Sequence, residues 1–86
     1  MILVRQIKAA RALLGWSQVK LAEKAGVSKP TIERIESPDN GPIDSRHTKC
    51  EQIETTLRAE GVEFLNDGEV IGVTLANKKL RFRARR

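Results

Sequence analysis

The apolar positions in the first third of the chain recur at helical spacing. Val4, Ile7, Ala10 or Arg11, and Leu14 fall at three- and four-residue intervals, which predicts an amphipathic helix over residues 3–14 that Gly15 stops. Ser17 is placed to cap a second helix over residues 18–25, whose inward face is Leu21, Ala22 and Ala25. Gly26 supplies permissive backbone for a sharp turn, and Val27 fills the angle between the helices. Ser28 then caps a third helix over residues 28–36. Pro30 falls in its first turn, where a missing N–H costs little, and Ile32 and Ile35 form its buried side.

The pattern breaks at Ser37, Pro38, Asp39, Asn40, Gly41 and Pro42, a cluster that reads as loop. A fourth helix starts between Asp44 and Thr48. Thr48 with Glu51 would make a capping box, whereas Asp44 would cap an earlier start. Its stripe is Cys50, Ile53 and Leu57, and it ends at Gly61. From there the period shortens to two. Residues 62–65 and 70–75 read as strands joined through Asn66, Asp67, Gly68 and Glu69. The hairpin carries an apolar face of Val62, Phe64, Ile71, Val73 and Leu75. A lone two-stranded ribbon is marginal, so this face must be covered. Either it caps the chain's own core, or it forms a homodimer whose edge strands pair across a two-fold axis. Further on, Leu80, Phe82 and Ala84 alternate with Arg81, Arg83 and Arg85. That stretch fits a third strand, a flexible basic arm or a solubilising end. The expected organisation is a helical domain over 1–60, a hairpin over 61–75 and a basic tail over 76–86.

Charge sharpens the picture. The 86 residues carry a net charge of +5, but unevenly. Residues 1–35 hold seven Lys/Arg against Glu23 and Glu33 (+5), residues 36–75 hold three against nine acids (−6), and residues 76–86 hold six and no acid (+6). This distribution suits a polyanion on one side of the molecule, although charge alone fits a solvated surface equally. Composition adds exclusions. Hydrophobic content of 40% and charged content of 31% describe a globular chain of one domain. No apolar run approaches the roughly 20 residues that span a bilayer, and Met1, Ile2, Leu3 and Val4 meet Arg5 too soon for a signal-peptide core. Cys50 is the one cysteine, so no disulfide framework is expected, and a reducing cytoplasm is compatible with it.

Residues 18–36, QVKLAEKAGVSKPTIERIE, hold the most specific signal. Two helices crossing at a tight turn need a small residue at the contact, a glycine in the turn and apolar residues on the facing sides. Ala22, Gly26, and then Leu21, Ala25, Val27, Ile32 and Ile35 fill those places. This stretch resembles the Cro/repressor-type (Xre-like) helix-turn-helix family. The likeness extends upstream through QIKAARALLGWS (6–17) and downstream to Gly61, Val62, Glu63 and Phe64, covering roughly residues 5–75 and leaving the tail unexplained.

The resemblance implies a mainly α, lambda-repressor-like domain of about four helices with a C-terminal β-hairpin. It also implies that residues 28–36 are a recognition helix entering the major groove of double-stranded DNA with its N-terminal residues nearest the bases. Lys29, Pro30 and Arg34 then stand at positions that usually face base edges, with Thr31 beside them. Lys29 and Arg34 can donate to guanine O6 and N7, and Pro30 offers apolar contact to a thymine methyl. Lys29 fits a phosphate contact, or an i,i+4 pair with Glu33, as well as it fits a base. Gln18 occupies the place where the family holds a phosphate and braces the recognition helix. Ser17, Lys20, Ser28, Thr31 and Arg46 are further phosphate candidates, helped by the unpaired N–H groups at helix starts. Many relatives carry Glu where Lys20 stands, so Lys20 forfeits a capping box with Ser17 and adds a cation. Arg11 and Glu36 take the places of a structural charge pair between the first and third helices. Two solvated charges are the plainer alternative.

Other chemistry finds little support. His47 and Cys50 are too few for a zinc set, and no cofactor is expected. Trp16 reads as a packing anchor, and three aromatics in all argue against single-strand or RNA stacking. Ser17, Ser28, Ser37 and Ser45 show no triad, and no phosphate-binding loop is present, so an enzyme is not expected. The expected function is a cytoplasmic, nucleoid-associated, sequence-specific transcriptional regulator, a repressor acting as a homodimer on a palindrome with recognition helices about 34 Å apart. The alternative is an antitoxin-like module that neutralises a toxin partner through the acidic fourth helix or hairpin and autoregulates through the same domain.

Overall fold

The computed structural model describes residues 2–37 and 48–76. Its elements run α1 (Val4–Leu14), α2 (Gln18–Ala25), α3 (Lys29–Glu36), α4 (Thr48–Ala59), β1 (Val62–Asn66) and β2 (Ile71–Leu75). The architecture is mainly α, with a C-terminal antiparallel hairpin. The helix start at Asp44, the phosphate role of Arg46, the reading of Ser45 and His47, and the readings of the tail beyond Ala76 lie outside the described residues.

Each of the first three helices begins where a side chain satisfies a terminal amide. At α1, the Gln6 side-chain carbonyl accepts from the Leu3 N–H at 2.8 Å. Ser17 Oγ accepts from the Lys20 N–H at 3.1 Å at α2, and Ser28 Oγ accepts from the Thr31 N–H at 3.2 Å at α3. Helix α2 ends at Gly26 (φ 75°), whose N–H returns to the Ala22 carbonyl at 3.0 Å, as does that of Val27. The left-handed cap at Gly26 turns the chain within three residues from α2 into α3. Helix α3 is weakly helical by composition, with Pro30, Thr31 and two isoleucines in eight residues. An isolated helix that short does not persist in water, so packing imposes its conformation.

The core draws on every helix and on β1. Val4 and Ile7 of α1, Leu21 of α2, Ile32 of α3, Ile53 and Leu57 of α4, and Val62 of β1 are buried together. Fully burying a side chain of this size stabilises the fold by about 1.5–3 kcal/mol. Trp16, Val27, Ile35, Phe64 and Leu75 pack around this centre. Ile35 is therefore only half-buried, a peripheral member of the face assigned to α3.

The hairpin pairs Val62 with Leu75, Phe64 with Val73 and Asn66 with Ile71. Directly opposed residues share a face, so the expected apolar face exists. Part of it packs on the chain's own helices. Val62 is 2% exposed, and Phe64 and Leu75 pack on the chain's own core. Val73 is half-buried, and Ile71, beyond the edge of the core, is 54% exposed. The ribbon caps the helices because its first residues follow α4 directly, which leaves this face over the core. β1 runs one residue further than the alternation suggested and β2 begins one later. Asp67 ends the pairing: its carboxylate accepts from the N–H groups of Glu69 (3.0 Å) and Val70 (2.8 Å), which hold its pKa below the ordinary carboxylate value. Gly61 is required at the start of the ribbon. It has φ 102°, and a Cβ there would stand 2.7 Å from the Ala76 carbonyl oxygen.

One buried polar residue ties the helices to the hairpin. Gln6 is 2% exposed, and its amide donates to the carbonyls of Leu65 and Gly72, both at 2.9 Å. Gln6→Leu keeps the bulk and deletes these bonds along with the α1 cap. It is expected to lower unfolding stability by about 1–3 kcal/mol in urea denaturation, and an unchanged midpoint would show that the tie contributes nothing.

Candidate nucleic-acid interface

Helix α3 splits its residues sharply between inside and outside. Thr31, Ile32 and Glu36 are buried, whereas Lys29, Pro30, Glu33 and Arg34 are exposed. Lys29 Nζ lies 3.1 Å from Glu33 Oε2, the i,i+4 pair its spacing allowed, with both side chains half-exposed. Among the described residues no carboxylate lies within ion-pair range of the Arg34 guanidinium. Arg34 thus presents a planar cation with its donor edge uncommitted, the property that bidentate recognition of a base edge requires.

Thr31 is placed differently from its nomination. It is 5% exposed, and its hydroxyl lies 2.8 Å from Ser28 Oγ. The side chain closes the helix start from within and does not stand beside Lys29 and Arg34 on the outer face.

The start of α2 supplies the second half of the surface. Ser17 and Lys20 are exposed there, Ser17 already holding the Lys20 N–H. Gln18 is half-buried, and its amide donates to Glu36 Oε1 at 3.0 Å. Its bracing role is therefore visible, while an anion at this end would meet the backbone N–H groups of the helix start. Ser28 is exposed at the matching end of α3.

Behind this surface lies the Arg11–Glu36 pair. Arg11 Nε donates to Glu36 Oε2 at 2.8 Å and Arg11 Nη2 to Oε1 at 2.9 Å, a two-pronged contact. Arg11 Nη1 also donates to the Trp16 carbonyl at 3.0 Å. Glu36 is 3% exposed and Arg11 19%, so the pair is an enclosed strut. It joins α1, the α1–α2 turn, α2 and the last turn of α3.

Residues 7–38 match a family model described as helix-turn-helix. Over this segment the chain is similar to the Xre/Cro-like helix-turn-helix family. The family's fold is lambda-repressor-like, and its members are DNA-binding regulators of transcription rather than catalysts. No curated protein matches the chain. The match ends at residue 38, so α4 and the hairpin stand outside it. No helix among the described residues is long and apolar enough to cross a membrane.

Beside the helix-turn-helix, α4 adds two residues that the sequence did not single out, Lys49 and Gln52. Thr31, Arg34 and Ile35 of α3 and Lys49 and Cys50 of α4 line one cleft of about 270 Å3. Lys49 therefore sits beside Arg34, and only charge marked it in the sequence. Gln52 of α4 donates to the Ala25 carbonyl at 3.3 Å, holding α4 against the turn between α2 and α3. Nothing in the spacing of Gln52 foretells that bond.

Proposed function

We propose that the chain is a sequence-specific repressor that reads the major groove with α3 and binds as a homodimer to a palindromic site. The observation that carries this reading is the division of α3. Ile32, Thr31 and Glu36 fix the helix from behind, while Lys29, Pro30 and Arg34 project from the opposite side. Arg34 is the base-reading residue of greatest weight, because Lys29 is shared with Glu33. Pro30 adds apolar contact. Ser17, Gln18, Lys20 and Ser28 position the domain through phosphates, and Arg46 is a further phosphate contact on this reading. The chain is cytoplasmic and associated with the nucleoid on the same reading.

The test is selection from a randomised duplex pool at roughly 150 mM salt, where non-specific attraction is screened. The expected result is a two-fold-symmetric motif containing guanine in each half. Retention without any enriched motif would remove the sequence-specific reading.

One observation favours a second reading. Among the described residues of α4 and the hairpin, Glu51, Glu54, Glu60, Glu63, Asp67 and Glu69 face only Lys49 and Arg58 in charge balance. An acidic surface away from the DNA helix is the place for a basic protein partner, as an antitoxin would need. Co-purification of a second chain from the native host would favour that role.

A further inference from the structure

The cleft between α3 and α4 sets apolar side chains beside the cation on which base reading depends. Thr31, Arg34 and Ile35 are spaced at three and four residues, so they line it from one face of α3. Lys49 and Cys50, in the first turn of α4, line the other side. The volume is about 270 Å3. A dry apolar cavity of about 150 Å3 already accepts a benzene ring, so the cleft has room for a ring and a small substituent.

The side chains narrow the class of molecule. Ile35 is half-buried, and Cys50, 8% exposed, behaves as a small hydrophobe with only a weak S–H donor. The Thr31 hydroxyl is already shared with Ser28 Oγ at 2.8 Å. A sugar or nucleoside here would bury hydroxyl groups that find no partners, which is costly. The strong polar demand comes from Arg34, whose guanidinium meets no carboxylate among the described residues. Lys49, exposed on the opposite side, adds positive charge. An apolar body carrying one carboxylate answers both requirements. The body covers Ile35 and Cys50, and the carboxylate accepts from the guanidinium fork. Apolar walls with a few convergent polar groups are the usual make-up of a small-molecule site.

Arg34 connects this cleft to DNA. Its guanidinium cannot close on a carboxylate in the cleft and extend to a base edge at once. Linkage makes the exclusion reciprocal: the ligand weakens the operator by the factor by which the operator weakens the ligand.

We infer that the cleft binds a small apolar carboxylate of about the size of benzoate, which withdraws Arg34 from the base edge and loosens the operator. The inference rests on the base-reading role of Arg34 in the proposed function and deepens it by naming a ligand class that regulates it.

The test is titration of the native full-length chain with benzoate, followed by amide NMR shifts without DNA and by anisotropy on the selected operator. Saturable shifts are expected at Arg34, Ile35, Lys49 and Cys50, with a dissociation constant on the order of 1 mM for so small a ligand. Operator affinity should fall about tenfold for each half-site at saturation, while unrelated duplex, bound without the base contact, is released less than about twofold. Arg34→Gln and Lys49→Gln change exposed residues and keep the fold. The first should abolish the benzoate shifts at Ile35 and Cys50, and the second should weaken them.

No saturation up to about 20 mM overturns the inference. An equal response to benzyl alcohol does so too, because the cleft is then merely apolar. An equal response to acetate or inorganic phosphate at matched ionic strength also overturns it, because the cleft is then a bare anion site of the kind a DNA phosphate fills. Benzoate that binds without loosening the operator removes the link to DNA. If the duplex pool yields no motif while benzoate still saturates the native chain and not Arg34→Gln, the DNA reading has failed and the ligand site stands.

Discussion

Replacing Glu36 with alanine is expected to cost the fold about 3–5 kcal/mol, the usual penalty for removing one member of an enclosed ion pair. A domain of this size has on the order of 4–13 kcal/mol in total, so the variant would sit near the edge of folding. The cost arises from what remains. Without the carboxylate, the Arg11 guanidinium keeps only the Trp16 carbonyl, and the Gln18 amide loses its acceptor. Arg11→Ala should cost a similar amount, because Glu36 would be left 3% exposed with the Gln18 amide as its remaining partner. Arg11→Met/Glu36→Leu should be much less destabilising than the sum of the two single changes, since apolar replacement of both partners leaves no orphaned charge. Urea denaturation of the four proteins closes the cycle, and additive losses would show that the two groups act independently.

The same cycle separates stability from function. Helix α3 is too short and too poor in helix formers to hold its own shape. The strut at Glu36 fixes its last turn to α1, while Ile32 fixes its middle. If the strut sets the angle at which α3 is presented, the apolar double variant recovers much of its stability but binds its operator less tightly than the native chain. Equal affinity would confine the pair to a role in folding.

How far the sequence could be read depends on where each residue's partners lie. Ala22, Gly26, Val27 and Ser28 announce the α2–α3 corner because every requirement of that turn is local: a small contact residue, a left-handed cap and a side-chain acceptor. Gln6 is the opposite case. Its bonds reach carbonyls 59 and 66 residues away, and no local pattern distinguishes a buried glutamine from a solvated one. The hairpin falls between. Alternation shows that Val62, Phe64, Val73 and Leu75 share a face, since that follows from the pleat alone. It is silent on what covers the face, which depends on where α4 delivers the ribbon. Thr31 was misplaced for a related reason. Spacing puts it beside Lys29 and Pro30, but the choice between facing outward and meeting Ser28 Oγ is made by packing behind the helix.

Arg34→Ala should relax sequence preference rather than abolish attraction to DNA. Each bidentate contact to guanine contributes roughly 1–3 kcal/mol of discrimination, and a two-fold site makes the contact twice. Discrimination against an operator with both guanines changed should therefore collapse by about 2–6 kcal/mol in the variant, while binding to unrelated duplex falls only slightly. Lys29→Ala should behave otherwise. Its ammonium is already neutralised in part by Glu33 at 3.1 Å, so its loss weakens all duplexes alike and lowers the salt slope by about 0.9 for each phosphate it touched. Thr31→Ala provides the internal contrast: a buried hydroxyl bonded to the α3 cap should cost stability and leave base preference unchanged. Competition anisotropy with the selected operator and its guanine-substituted form measures all three. If Arg34→Ala keeps full discrimination while Lys29→Ala loses it, the reading residue is Lys29, and Arg34 serves the phosphate backbone beside Lys49.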